Sequence, residues 1–560
     1  MIGTRLEAPF ADVELIPGVP ALMRDGARLV ADIYRPKGDG PWPVLLMRTA
    51  YGRDVASGLV YAPPAWYARR GFMVVVQDVR GRGDSEGSYY PFRHEREDGY
   101  DSVQWAAGLD RSNGRVGLFG FSYQAVVQLF AALDRPPALC ALAPHMTPFD
   151  LYADWFYRDG LLELWNLGWA NQMLREDARR IGAPSTADLD RSWSDLGGLL
   201  RQLPLRRAAP LTNPDLPRYA ADWLEHSTYD RYWEPWNLLL KTRELGYPMF
   251  HLSGWYDIFL RGSIAGYTAL AKDRGDQFLL ATPWAHSPWG THVAGADFGP
   301  GAAPKVDEMV VEWFRHWLGP KAGQAPCPLS GCRYFSLGEN RWRQSETWPP
   351  AGSRSLDLRL GSGGRANSRF GDGTLGEVAP GSTEDVLGYE PEVPVAAPGG
   401  GQGGMASYGP HELSVQQQSN SLLVYSSAEL KQPVRIAGSP RLTVHVQATS
   451  PTLDLVARLS RVGRDGRTMF LCMGARRLRT ANAVTAATVP LDPIAAHWSA
   501  GERIRLDLAA SSFPLYPRNS GTAADALDVA SPAEFGRALA MVYHDPSRPS
   551  SLSLPELPAD

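Results

Sequence analysis

From Val44 to Leu142 the chain alternates short apolar runs, rich in β-branched residues, with helical stretches. The runs Val44 to Met47, Phe72 to Val76 (FMVVV), Val116 to Phe119 and Leu139 to Leu142 predict buried strands, and Arg28 to Tyr34 (RLVADIY) an antiparallel strand ahead of them. Glu97 to Ala107 and Tyr123 to Leu133 carry helical spacing between them. Such alternation leads to an α/β fold with a mostly parallel sheet. The rhythm stops between about Thr147 and Leu245, where the chain is helical and aromatic, with Trp155, Trp165, Trp169, Trp193, Trp223, Trp233 and Trp236. It resumes with a strand from Met249 to Leu252, a helix from Ile258 to Ala271, a strand from Phe278 to Ala281 and a helix from Lys305 to Trp317. A helical cap inserted into one α/β domain explains the interruption better than two separate domains.

After Trp348 the pattern changes again. The runs Leu442 to Gln447, Leu453 to Leu459, Thr468 to Cys472 and Ile504 to Leu508 are short, alternating and separated by turns. They predict an all-β sandwich or jelly roll. The Gly-rich segments GSGGRANSRFGDG and APGGGQGG do not follow a strand and open a helix, so they read as turns or linkers rather than phosphate loops. The expected fold is therefore a mostly parallel α/β sheet with an inserted helical cap and a C-terminal all-β sandwich or jelly roll. The boundaries fall at 1–146 and 246–348 for the sheet, 147–245 for the cap and 349–560 for the β domain. A length of 560 residues, at roughly 150 per domain, is in keeping with that division.

A net charge of −4 gives no electrostatic footprint for nucleic acid or an anionic membrane. Of the four cysteines, Cys327 and Cys332 are closely spaced but have no second Cys/His pair, so no zinc site is expected, and no other metal or cofactor. The first residues, MIGTRLEAPFADVELIPG, are acidic and lack the apolar core of a signal peptide. No run of about 18 apolar residues suggests a membrane helix. The expected protein is soluble and cytoplasmic, acts on a small molecule, and is compatible with a homodimer.

The chemistry concentrates in Gly120-Phe121-Ser122-Tyr123, which follows the strand VGLF and opens the helix YQAVVQLFAAL. A sharp strand-to-helix turn of this kind lifts a serine hydroxyl above the sheet as a nucleophile elbow. The backbone N–H of Tyr123, at a helix N-terminus, suits an oxyanion. A helix-capping Ser122 is the plainer alternative. A serine nucleophile needs a base, and the base an orienting acid. In α/β hydrolases they follow in the order Ser, acid, His, each after a later strand. Asp257 lies past MFHLSG and His286 past QFLLA, 29 residues apart, which brings both to one edge of the sheet. His251 lies inside its strand, His145 precedes any candidate acid, His292 is a second choice for the base, and Asp273 reads as a solvated charge. Tyr51 follows the strand PVLLM, where such enzymes put another oxyanion donor; by position alone it reads more readily as a packing residue than a catalytic one. Trp155, Trp165 and Trp169 recur at spacings of 10 and 4 and are candidates for an acyl pocket, with cap packing the alternative.

Together these segments resemble the cocaine-esterase-like branch of the X-prolyl dipeptidyl peptidase family of serine hydrolases. MRDGARLVADIYRP, RTAYG, QDVRGRGDSEG, EDGYDSVQWAA, GFSYQA, GWYD, PWAHS, YEPEVP and SSFPLYPRNSG carry the likeness along nearly the whole chain. Ala125 stands where the family elbow ends in glycine. The resemblance implies Ser122, Asp257 and His286 as a triad, and the Tyr51 hydroxyl with the Tyr123 N–H as the oxyanion hole. It also implies an α/β-hydrolase sheet with an inserted helical cap and a C-terminal all-β jelly roll that closes over the cleft with the cap. Asp84, Asp98 and Asp101 read as structural acids. The expected activity is hydrolysis of a carboxylic ester or amide through an acyl-enzyme. The alternatives are an X-prolyl dipeptidyl peptidase, an amino-acid ester hydrolase or acylase, or a non-catalytic binding module on the same fold. Ester hydrolysis is preferred because the α/β part starts too near the N-terminus for the large amino-terminal domain of many such peptidases.

Overall fold

The computed structural model describes residues 12–55, 59–272, 274–320, 322, 324–376, 384–398, 409–480 and 482–558. Asp273 and the glycines at 399, 400, 401, 403 and 404 lie outside these residues. The apolar runs of the N-terminal half form a ten-stranded sheet. Its order is Val13–Leu22, Arg28–Pro36, Met73–Asp78, Trp42–Thr49, Ser112–Phe121, Leu139–His145, Met249–Tyr256, Gln277–Ala285, Gly331–Ser336 and Arg341–Ser345. Every pairing from Met73–Asp78 to Gly331–Ser336 is parallel, and the outer pairings are antiparallel. All eight residues of Met249–Tyr256 are buried, as a strand covered by helices on both faces requires. The helices Glu95–Ala107, Tyr123–Ala132, Leu260–Ala271 and Val306–Leu318 provide that cover.

Leu139–His145 and Met249–Tyr256 are neighbours in the sheet although about a hundred residues separate them in sequence. The intervening chain forms the cap, whose principal helices are Trp165–Ile181, Thr186–Ser194 and Tyr219–Glu225. One stripe of the first helix, Trp165, Trp169, Met173 and Asp177, repeats every four residues and is buried. Asp177 docks it: its carboxylate takes two hydrogen bonds from Arg82, at 2.6 and 3.2 Å, and one from Tyr219 at 2.8 Å. Arg82 also lies 3.6 Å from the ring centroid of Tyr89. The QDVRGRGDSEG segment thus fastens the cap to the sheet. Within and beside it, Asp84 pairs with Arg53, Asp98 with Arg80 and Asp101 with Arg24.

Beyond Arg354 the chain is a thirteen-stranded β network among the described residues, antiparallel except for one short pairing. The strand Arg441–Ala448 alternates buried and more exposed residues, in contrast to the uniformly buried Met249–Tyr256. This domain meets the cap through Arg158 to Asp492 (2.9 Å), Leu164 N–H to Leu515 C=O (2.9 Å) and Arg206 to Asp525 and Asp528 (3.0 and 2.6 Å). The four cysteines are free thiols.

Candidate active site

Ser122 sits between the strand Ser112–Phe121 and the helix Tyr123–Ala132 with φ +61° and ψ −130°. A side chain at positive φ is held there against a cost of about 1–3 kcal/mol. The surrounding bonds over-determine it: its N–H donates to His145 C=O at 3.0 Å, and its C=O accepts from Ala125 and Val126 at 2.9 and 3.1 Å. Gly120 (φ +140°) has no room for a side chain, since a Cβ there would stand 2.6 Å from Cβ of Gln124. Below the turn, Gln128 Nε2 donates to the carbonyls of Gly120 and Ala143, at 3.2 and 3.3 Å. Tyr123 is the first helical residue, so its backbone N–H has no acceptor within the helix. Its phenol points away into packing and donates to Glu95 at 2.7 Å, and Glu95 is paired to Arg48.

Asp257 and His286 are each the first residue after one of two adjacent parallel strands. His286 Nδ1 donates to Asp257 Oδ1 at 2.8 Å, and Ser253 Oγ donates to Oδ2 at 3.0 Å. The carboxylate accepts, so Nδ1 carries the proton and Nε2 is left as the basic nitrogen. Gly254 permits this approach, because a Cβ on it would meet the Trp284 carbonyl oxygen at 2.1 Å. The His286 ring lies 5.4 Å from Phe121, the neighbour of Ser122, and 5.3 Å from Phe259. Both Asp257 and His286 are buried. His145 instead ends its strand, bonded to the Tyr61 hydroxyl at 2.7 Å, and burial pulls it down to about 3. His251 is bonded to Gln277 and lowered to about 4, again by burial. His292 is exposed beside Asp297.

Tyr51 stands two residues beyond the strand Trp42–Thr49, its phenol beside the Ser122 side chain. Burial pushes that phenol up to about 12, while the Trp169 hydrogen bond and the neighbouring Ser122 hydroxyl act in the opposite direction. Trp169 Nε1 donates to the Tyr51 hydroxyl at 3.1 Å. Trp155 is fully buried, 5.0 Å from Trp169, 6.1 Å from Trp165 and 4.7 Å from Phe259. Trp165 donates to Glu163, which is paired with Arg158 at the seam with the β domain. Of the three tryptophans, Trp169 therefore stands against Tyr51, and the other two back it. Two residues that sequence reasoning missed complete the cluster. Phe259 links Trp155 and Trp165 to His286, and Phe92 (φ +69°) packs on Tyr123, Trp155 and Trp169. Neither belongs to a periodic pattern; the position of Phe259 two residues past Asp257 was the only hint.

A serine raised on such an elbow, with a bonded Asp–His pair on the strands beyond it, is the arrangement by which α/β-hydrolase enzymes generate a serine nucleophile. The protein is a serine hydrolase of that fold. It belongs to the X-Pro dipeptidyl-peptidase S15 family, whose hydrolase pattern matches residues 25–288 and whose C-terminal non-catalytic domain matches residues 328–553. It is similar to cocaine esterase from Rhodococcus sp. (strain MB1 Bresler), at 32% identity over 95% of this chain and 97% of the relative. In fold it resembles an α-amino acid ester hydrolase (TM-score 0.81, 23% identity, 100% and 99% of the two chains). It likewise resembles an aminopeptidase from a marine sediment archaeon, Thaumarchaeota archaeon (TM-score 0.78, 20% identity, 98% and 97%).

Proposed function

We propose that the protein hydrolyses carboxylic esters of small molecules through an acyl-enzyme, with Ser122 as nucleophile, His286 as base and Asp257 as its orienting acid. The observation that carries the reading is the 2.8 Å Asp257–His286 bond on the strands beyond an elbow serine that stands beside Tyr51. Ser122 Oγ attacks the ester carbonyl as its proton passes to His286 Nε2. The oxyanion is received by the Tyr51 hydroxyl and the Tyr123 N–H. Collapse breaks the bond to the alcohol, which leaves with the proton held by His286. Water, deprotonated by His286, then attacks the acyl carbon and frees Ser122 and the acid. Asp257 keeps the imidazole in the required tautomer and stabilises its charged form. Trp155, Trp165 and Trp169 form the wall against which the acyl group packs.

The likeness to cocaine esterase supports an ester as substrate. The same proposal divides the chain at 146, 245 and 348, gives it a small-molecule substrate, no nucleic-acid or membrane partner and a cytoplasmic setting, and is compatible with a homodimer. Among the described residues, no helix is long and apolar enough to cross a membrane. The test is a fluorophosphonate probe followed by a panel of aryl and alkyl esters beside Xaa-Pro amides. The probe should label wild type and not Ser122→Ala, and esters should turn over faster than amides. Labelling retained in folded Ser122→Ala would move the nucleophile elsewhere. Faster turnover of Xaa-Pro amides would make the protein a peptidase, and no labelling of wild type would leave a binding module.

A further inference from the structure

The bond between Trp169 and Tyr51 has a direction that chemistry dictates. An indole Nε1–H donates and cannot accept, whereas a phenol both donates and accepts. At 3.1 Å, therefore, the Tyr51 oxygen is the acceptor, and its own proton is directed to another partner. The Ser122 side chain stands beside that hydroxyl as the partner available to the proton. We infer that Trp169 is a positioning residue: by occupying a lone pair of the Tyr51 hydroxyl, it fixes that rotor with its proton toward Ser122, where the oxyanion forms. The inference rests on the proposed role of Tyr51 and goes beyond an acyl-pocket role for Trp169.

Three features give the indole the rigidity such a clamp needs. Its ring lies nearly parallel to those of Trp223 (5.6 Å, 15°) and Phe92 (6.3 Å, 19°), and Trp155 lies against it at 5.0 Å. Its helix is held in register two turns further on, where Asp177 meets the buried guanidinium of Arg82. The Tyr51 ring is held in turn by an edge contact with Tyr123 at 6.2 Å. A donor that is already aligned pays no reorientation cost as charge develops on the substrate oxygen, which is the condition for strong oxyanion stabilisation. Without the indole N–H, the hydroxyl can rotate its proton away from Ser122, and the resting population of the productive rotamer falls.

The experiment replaces Trp169 with 3-benzothienylalanine, which keeps the bicyclic ring and substitutes sulfur for the N–H, in wild type and in Tyr51→Phe. Trp169→Phe in both backgrounds serves as a second, genetically simpler series. The acylation rate and KM are measured on one activated ester, with melting temperature as the control for folding. The sulfur variant should acylate ~3–10-fold more slowly, the range one hydrogen bond supplies, with KM within about twofold and an unchanged melting temperature. In Tyr51→Phe the same replacement should cost nothing further. An equal loss in both backgrounds, a change confined to KM, or no loss beside a costly Tyr51→Phe would each overturn the clamp and leave Trp169 as a pocket wall. If Tyr51→Phe by itself acylates at the wild-type rate, the oxyanion assignment fails first and the clamp falls with it.

Discussion

At the carboxyl edge of the sheet, Ser122, Asp257 and His286 are held by the backbone that precedes them. Each is the first residue beyond a strand in the parallel part of one sheet, and adjacent strands bring the last two within 2.8 Å. The cap holds its side chains differently. Trp155, Trp165 and Trp169 depend on one another, on Phe259 and Phe92, and on one buried ion pair far along the helix. The sheet edge is held by backbone hydrogen bonds between neighbouring strands, with one irregularity between Thr282 and Ala285 just before His286. The cap is only as rigid as its docking, so a change distant from the chemistry can loosen it.

The contrast is sharpest in substitutions whose losses differ in kind. His286→Ala should lower kcat by ~10⁴-fold or more, as Ser122→Ala should, and the double variant should be no slower than either single one, because the members act as a unit. A double variant with multiplied losses would break the proposed triad. Arg82→Ala, by contrast, strips Asp177 of its buried partner and should cost about 3–5 kcal/mol of stability, read by urea unfolding with tryptophan fluorescence. Ser122 should still label with fluorophosphonate below the new midpoint. Loss of labelling before any unfolding would mean that the two regions do not behave as separately as their construction implies.

Tyr51→Phe tests the place where the regions touch. It should lower kcat by ~10²–10³-fold, about 2.7–4 kcal/mol, with KM and melting temperature little changed. A packing tyrosine would show the reverse. Because its phenol is pushed up to about 12, the donor survives throughout ordinary assay pH, and Tyr51 should cause no alkaline fall in kcat below about pH 10.

The smallest expected effect concerns the two buried histidines of the sheet. His145 and His251 stay neutral in the fold down to about 3 and 4, whereas the unfolded chain protonates them near the ordinary value of 6.5. Unfolding therefore takes up protons below that value, and stability falls as pH falls, by about 1.4 kcal/mol per pH unit for each fully titrating histidine. His251→Gln should flatten the wild-type slope between pH 6 and 4.5 by one such contribution. An unchanged slope would show that His251 takes up its proton in the fold as well.

Much of the sheet edge was legible because a parallel, doubly covered strand leaves a continuous apolar run, and the residue after such a run is at the functional edge. Ser122, Asp257 and His286 could be named on that basis, although the strands extend beyond the runs: the strand read as Phe278 to Ala281 continues to Ala285 and directly abuts His286. Tyr51 could be located but not given a role, since its direction depends on a side chain 118 residues away. The cap was legible only as helical and aromatic. Four-residue spacing put Trp165 and Trp169 on one face, but nothing local distinguishes the tryptophan beside Tyr51 from the one tied to Glu163.

Local pattern alone determined the class of fold, the elbow, the places of Ser122, Asp257 and His286 just beyond their strands, and the change from buried to alternating strands beyond Trp348. Those features follow from periodicity and turn stereochemistry, which act over a few residues. Only the tertiary structure decided which partners the buried polar groups would find: Trp169 for Tyr51, Asp177 for Arg82, Ser253 for Asp257. A hydroxyl, indole or guanidinium accepts many partners equally well in sequence. Once buried, it must take the one that packing brings within about 3 Å, and that choice is made by the whole fold at once.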